Sequence, residues 1–446
     1  MHPHKLLQLL LPLAAVTALA TNAAIAQQSL PAPLPLKQAL SLSETQNNRV
    51  LKSITEKDIA VEEVAETQEM RLPEFDFHTA YARISSITEF TRGSLDGKKV
   101  THLNPNMYDF TFSGSMPLYS GNRINNLVDK AKLNGEVAAT AVQKTQKDVK
   151  LQVTALYLGI YKLTQLDKLL TENVIEEKER LKEVKALHKN GTITKNEVLR
   201  AELQLKDREI QLINNHKDIE IAYSELKTLL NLPEENNVVI DTLGLIHNEH
   251  ELKFADLQNA SLGNEEFRMM RLRAESGKID VKNAKANYYP VISLYGSYAY
   301  KFPNYMFFPP DPYAYTFGSA GVQLTYNISG IYKNKSRVSI AKKKAEAAVR
   351  QTEIVTDENR DRIFRQFRQY EELQERFKVT DAANALATEN YRLVKLQYLN
   401  QLVVITEMID ADNALLQAKY DRISVRIDAA MKYYEMLHTA GLPFTN

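Results

Sequence analysis

The sequence has no cysteine. That excludes disulfides, and it excludes a lipid carried on an N-terminal cysteine of the mature chain. Glycine and proline are scarce, at 15 each in 446 residues, while a quarter of the chain is charged. Such a composition suits extended helices with little compact interior. The net charge of +1 gives no electrostatic reason to expect nucleic acid as a partner. Beyond the N-terminal region no run of about 18 uninterrupted apolar residues occurs, so no membrane-spanning helix is expected. Nucleophile elbows, phosphate-binding glycine loops and paired His/Cys metal motifs are all missing. Neither an enzyme nor a cofactor is expected.

What is present begins with Lys5, followed by a Leu- and Ala-rich run from Leu6 to Ala20 and by Ala24-Ile25-Ala26. This pattern predicts an export signal over 1–26, cleaved before Gln27. An exported chain without disulfides fits the periplasm or outer membrane of a Gram-negative cell better than a small secreted domain.

The remainder reads as one unit written twice. Asn231-Leu232-Pro233 is matched by Gly441-Leu442-Pro443. The same shift lays Ile193–Glu202 on Val404–Asp412, so that Glu197 meets Glu407 and Ala201 meets Ala411. Tyr119–Ile124 falls on Ile328–Lys333 with one residue of slippage. The repeats are expected at 27–233 and 234–446.

Long helices are expected over Asn122–Lys189 and Lys335–Gln397. The first carries a heptad-like series, Val149, Val153, Leu156, Ile160, Leu163 and Leu170; the second continues it through Ile363, Phe367, Tyr370 and Phe377. These positions read as packing seams, and the run Lys342–Lys344 as a solvated face. Shorter helices are expected over Leu36–Leu72, Lys195–Asn231, Glu265–Tyr288 and Val403–Ala440. Their lengths suggest Lys195–Asn231 stacked on Glu265–Tyr288, and Val403–Ala440 on Leu36–Leu72, each pair accompanying a long helix. Glu234–Glu251 breaks the pattern and reads as a small mixed belt.

Four alternating segments lie between the helices, at about 74–84, 108–118, 291–300 and 313–328. Phe75, Phe77, Thr79 and Tyr81 share one face; so do Tyr108, Phe110 and Phe112; Ile292, Leu294, Tyr298 and Tyr300; and Val322, Leu324, Tyr326 and Ile328. Loops are expected at Thr91–Asn106 and Phe302–Asp311. Lengths near ten residues, with aromatics concentrated between Tyr288 and Tyr326, fit transmembrane β-strands, although a soluble sheet with one buried face has the same alternation. His78 reads as pore-lining or solvated, since no second metal ligand sits at useful spacing. A sheet in lipid must close on itself, and four strands cannot. Three chains would supply twelve, wide enough for a water-filled passage.

The opening LPLKQALSLSETQNN (Leu34–Asn48), the strand-to-helix turns at Tyr119–Ile124 and Ile328–Lys333, and NGTITKNEVLRAELQ (Asn190–Gln204), in this order, resemble the outer-membrane efflux proteins, the TolC family. The resemblance covers essentially the whole mature chain. It implies a mainly α fold with membrane β: a duplicated helix, β-hairpin, long helix, helix unit, with three chains forming a twelve-stranded barrel that continues into a periplasmic α-helical barrel. It also implies an outer-membrane exit duct of a tripartite efflux or type I secretion system. The implied partners are two further copies of the chain, outer-membrane lipid, a periplasmic adaptor and an inner-membrane pump of RND or ABC type. On the same resemblance, Glu407 and Asp410 fall at an acidic periplasmic constriction, Tyr398 on the gate tyrosine and Glu197 on its acidic partner. A Tyr398–carboxylate hydrogen bond would help hold the resting state shut. Two positions depart from the family pattern: Val403 stands where a gate arginine is expected, and Gln401 replaces the tip glycine. Lys195 is the one nearby cation offered in exchange.

The same residues also admit local roles. Thr194-x-x-Glu197 has capping-box spacing, and Glu407 and Asp410 near a helix start are favoured by the dipole. The competing readings of the whole chain are a trimeric outer-membrane adhesin and a periplasmic coiled-coil scaffold. An adhesin of that kind gathers its strands at the C-terminus, whereas these pairs lie about two hundred residues apart. The sequence names no substrate.

Overall fold

A computed structural model of the protein describes residues 33–242, 253–304, 306–307 and 311–444. The expected signal segment and residues 243–251 of the expected belt lie outside the described residues. In chain order the elements are α1 (Leu36–Gln46), α2 (Asn48–Glu69), β1 (Glu74–Arg83), β2 (Ile87–Arg92), β3 (Asp96–Thr101), β4 (Asn106–Tyr119), α3 (Arg123–Lys189) and α4 (Lys195–Leu229). They continue with α5 (Phe254–Ser261), α6 (Glu265–Ala286), β5 (Val291–Phe302), β6 (Tyr315–Thr325), α7 (Gly330–Leu399) and α8 (Ile405–Ala440). At 67 and 70 residues, α3 and α7 are the long helices, each about 100 Å from end to end.

Two local expectations need correction. The helix expected over Leu36–Leu72 is two helices. Asn47 leaves helical geometry at ψ 129° and its side chain accepts from the Arg49 N–H at 2.8 Å, capping α2. The loop expected over Thr91–Asn106 contains most of a hairpin, β2 pairing with β3 so that Ile87 lies opposite Thr101. Its strands are short and mixed in polarity, so no apolar face advertises them.

The main sheet has the antiparallel order β1-β4-β5-β6, leaving β1 and β6 as edges. Register aligns Phe77 with Phe112 and Phe112 with Tyr298, and Tyr81 with Tyr108 and Tyr108 with Phe302. Rings therefore cover one face: Phe75 stacks on Phe112 with centroids 5.7 Å apart, and Phe77 remains 69% exposed. The opposite face is polar. Ser113, Ser297 and Ser319 form a row across three strands, and Asp109 pairs with Lys301 at 2.9 Å. A sheet that leaves its rings uncovered and turns its ion pair the other way is patterned for an apolar surrounding and a wet interior. No described helix is long and apolar enough to cross a membrane.

Below the sheet the helices form a layer four wide. Near the strands the order is α2-α3-α6-α7; farther away it is α4-α3-α8-α7. The short helices are stacked in the pairs α2 with α4 and α6 with α8, not in the pairs expected from length. Length fixes only a sum, and the choice is made at the junctions. Asn47 Nδ2 donates to the Leu229 carbonyl ending α4 at 2.7 Å, and Asn264 Nδ2 donates to the Thr439 carbonyl near the end of α8 at 3.2 Å.

The α4/α2 junction sits on the main core, where Val149, Val153, Tyr157, Leu158 and Ile160 of α3 meet Leu36, Leu40, Leu226, Leu230 and Ile427. Leu156 and Leu163 of the expected heptad are only half-buried. A parallel bridge joins Leu34 to Ile240, and the Tyr157 hydroxyl reaches the carbonyls of Leu34 and Asp241 at 2.7 and 2.8 Å, which fastens the described start of the belt. A further apolar cluster seats α5 against α7 and α8 through Leu257, Ile363, Tyr370 and Met436.

Candidate functional site at the helical tips

At the end far from the sheet the layer closes in two helix–turn–helix tips with matching backbones. After α3, Thr192 N–H donates to the Leu187 carbonyl at 3.0 Å across Gly191, whose φ is +75°. After α7, Leu402 N–H donates to the Gln397 carbonyl at 2.9 Å across Gln401, whose φ is +61°. Both are six-to-one helix endings with a left-handed residue in the turn. Gln401 thus does the conformational work of a glycine at a position glycine would adopt with less strain.

Between the tips lies a small apolar cluster: Val184 of α3, Val198 and Ala201 of α4, Tyr398 of α7, and Ile405 and Met408 of α8. Polar contacts tie α4 to α8 around it, Arg200 to the Thr406 hydroxyl at 3.3 Å and Gln204 to the Asn413 carbonyl oxygen at 2.8 Å.

Tyr398 is 6% exposed, and its hydroxyl has no hydrogen-bond partner among the described residues. Within the single protomer, then, Tyr398 and Glu197 are not joined by a hydrogen bond. Burial pushes its phenol up, and the nearby Glu197 charge adds to that. Glu197 sits half-buried in the first turn of α4, where the Thr194 side chain makes no cap hydrogen bond, so the capping box is not closed either. Glu407 and Asp410 are both exposed on α8, beside the stripe of buried Ile405, Met408 and Ala411. Lys195 is exposed at the start of α4.

One turn deeper is a constellation that the sequence reading did not single out. Arg180 of α3 donates to Glu177 at 2.6 Å, to Asp412 of α8 at 3.2 Å and to the Tyr391 hydroxyl of α7 at 3.1 Å. Asn173 donates to Asp412 at 3.1 Å, and Arg208 of α4 stands 4.0 Å from the same carboxylate while bonding Asn413. Glu177, Arg180, Asp412 and Arg208 are all buried. Four helices thus meet on one charged knot. Burial drives the Glu177 carboxyl up to about 7; Arg180 opposes this and the Asp412 charge reinforces it. Burial also works against the Arg180 charge, but Asp412 and Glu177 outweigh it. Asp412 follows Met408 by four and precedes Leu415 by three, so it is a charge on the apolar stripe of α8. That was the legible signal.

Residues 39–232 match the family model described as outer membrane efflux protein. The sequence is 24% identical over 210 residues to outer membrane protein TolC of Escherichia coli K12, covering 46% of this chain and 42% of that protein, less than half its length. Over nearly its whole length the chain has the fold of solved outer-membrane channels. It superposes on the outer-membrane channel OprN with a TM-score of 0.75 at 17% identity, covering 92% of this chain and 90% of that one. On the CmeC channel of Campylobacter jejuni the TM-score is 0.75 at 15% identity, with 91% and 85% covered. The matched stretch ends with the first tip hairpin and its return helix; the second tip, with Tyr398, Glu407 and Asp410, lies outside the matched residues.

Proposed function

We propose that this protein is an outer-membrane exit duct of a tripartite efflux or type I secretion system, a passive conduit built from three copies. The observation that carries the reading is a pair of open edges on each layer. The sheet ends in β1 and β6, and the helical layer ends in α4 or α2 on one side and α7 on the other. Backbone groups at an open sheet edge cannot be left in hydrocarbon. Joining β6 of one protomer to β1 of the next repairs them, and three copies give twelve strands. The helical edges close in the same sense: exposed Leu199, Leu203, Ile210 and Ile213 on α4 face outward from one side, and Val379, Leu386 and Leu393 on α7 from the other. The barrel stands in the outer membrane with its ring-covered face in lipid, and the helical layer extends into the periplasm. Each protomer is a duplicated unit divided near residue 233.

A periplasmic adaptor and an inner-membrane pump complete the system and supply its energy; the adaptor opens the duct by binding the open form more tightly than the closed one. Three copies of Glu407 and Asp410 ring the periplasmic mouth and favour cations there. Glu197 and Tyr398 belong to the same mouth through packing and charge. The test is single-channel conductance of the purified protein in a planar bilayer. Small, long-lived, cation-preferring events are expected, with the preference weakened by Glu407→Ala combined with Asp410→Ala. Absence of conductance from a verified, folded oligomer rejects the duct. Unchanged selectivity in the double variant rejects the acidic mouth.

A further inference from the structure

Just below the sheet, the two open helix edges carry opposite charge. α2 packs on α3 through Val50, Ser53 and Ala60, with Val64 and Thr67 half-buried on the same face. Its opposite ridge reads Asp58, Glu62, Glu66 and Glu69 at helical spacing, all exposed. Lys57 reaches Asp58 at 3.4 Å, but no cation pairs with Glu62, Glu66 or Glu69 among the described residues. Like charges four apart on a helix oppose one another.

α7 carries the complement. Lys333, Lys335, Arg337, Lys342, Lys343, Lys344 and Arg350 stand exposed against one acid, Glu346. Arg350 pairs with Glu353 on its own helix at 2.8 Å; the six cations before it have no carboxylate partner among the described residues. α7 turns Asn334 and Val338 toward α6, which leaves Lys343 and Arg350 near the centre of its open ridge.

The two stretches lie at the same depth. Arg71 at the end of α2 bonds Asn125 of α3 at 2.9 Å, Lys130 of α3 pairs with Asp280 of α6 at 2.6 Å, and Gly277 of α6 stands against Ala345 of α7. Following these contacts across the layer brings Lys343 about level with Glu62.

We propose that the acidic ridge of α2 docks on the basic upper part of α7 of a second copy of this chain. The proposal rests on the trimeric reading above and adds what sets its direction. Apolar edges alone tolerate a two-fold pairing of α2 with α2 or of α7 with α7. The charges oppose both, and they favour the head-to-tail contact that closes a ring.

Because the chain is cysteine-free, the test is clean. Glu62→Cys and Lys343→Cys are combined in the full-length protein, which is then oxidised in native membranes. A covalent ladder ending at three chains is expected from the double variant and from neither single variant. Separately, Glu62→Lys with Glu66→Lys is expected to lose the heat-stable assembled species, and adding Lys343→Glu with Lys344→Glu to restore it. A trimer by native mass spectrometry that neither cross-links nor responds to charge reversal overturns the seam alone. A chain that stays monomeric overturns the seam together with the trimeric reading.

Discussion

Asn47 and Asn264 make the same two hydrogen bonds at two different helix junctions. Each Oδ1 accepts at 2.8 Å from a backbone N–H of the helix it begins, Arg49 for α2 and Phe267 for α6. Each Nδ2 donates to a carbonyl at the end of the helix stacked beneath, Leu229 for α4 and Thr439 for α8. One amide thus serves one helix start and one helix end, groups that are otherwise left without intrahelical partners.

Replacing either asparagine by alanine is expected to cost about 1–3 kcal/mol, the cap together with a stranded carbonyl. Asn47→Asp separates the two roles, because a carboxylate keeps the cap but cannot donate to Leu229. Denaturant midpoints should rank wild type above Asn47→Asp and Asn47→Asp above Asn47→Ala. Equal midpoints for wild type and Asn47→Asp would mean the Leu229 bond contributes nothing, and equal midpoints for the two variants would mean the cap contributes nothing.

The buried knot gives the largest expected effect. Arg180→Met removes the donor shared by Glu177, Asp412 and Tyr391 and leaves two carboxylates facing each other, which is expected to cost about 3–5 kcal/mol. Thermal unfolding of the assembled protein checks it. A shift no larger than that of an exposed control such as Lys182→Met would show that the knot is not holding the helices.

Glu177 also makes stability depend on pH. Its folded carboxyl is raised to about 7, so the folded state binds a proton that the unfolded chain has already lost. The contribution is complete below the ordinary glutamate range, declines as pH rises, and is gone above about 7. The melting temperature of the wild type should fall relative to Glu177→Gln between about pH 4.5 and 7. Parallel curves across that window would contradict the assignment.

Tyr398→Phe is expected to leave stability unchanged or slightly higher, because the hydroxyl is buried without a partner and an unpaired polar group is a cost. A loss of more than about 1 kcal/mol would reveal a hydrogen bond made in the assembled protein.

Gln401→Gly should stabilise by up to about 1 kcal/mol, since it relieves a left-handed backbone at a tip whose six-to-one hydrogen bond needs no side chain. Equilibrium unfolding decides it, and a destabilised variant would show that the Gln401 side chain is engaged.

The long helices, the four sheet strands and the two tips were legible because each follows a simple period. Alternation placed Phe75, Phe77 and Tyr81 on one face, and the shift that aligns Glu197 with Glu407 also aligns two turns whose backbones match. What escaped the reading obeys no period. The break at Asn47 depends on a partner in α4 remote in sequence, and the β2–β3 hairpin has no apolar face. The stacking of α2 on α4 was hidden because summed lengths are blind to which ends touch. At the tips, attention to exposed Glu407 and Asp410 passed over Asp412. It was visible as a charge on an apolar stripe, but its partners on three other helices were not.

The uncovered rings of the sheet and its two unpaired edges have a consequence for the life of the chain before assembly. A lone protomer in water displays a broad aromatic face and two ladders of free backbone groups, the features that invite indiscriminate pairing. If three copies assemble as proposed, its persistence depends on how quickly it meets lipid and its own kind, and measured stability then depends on protomer concentration. On the trimeric reading proposed above, the cooperative unit of folding is larger than the polypeptide.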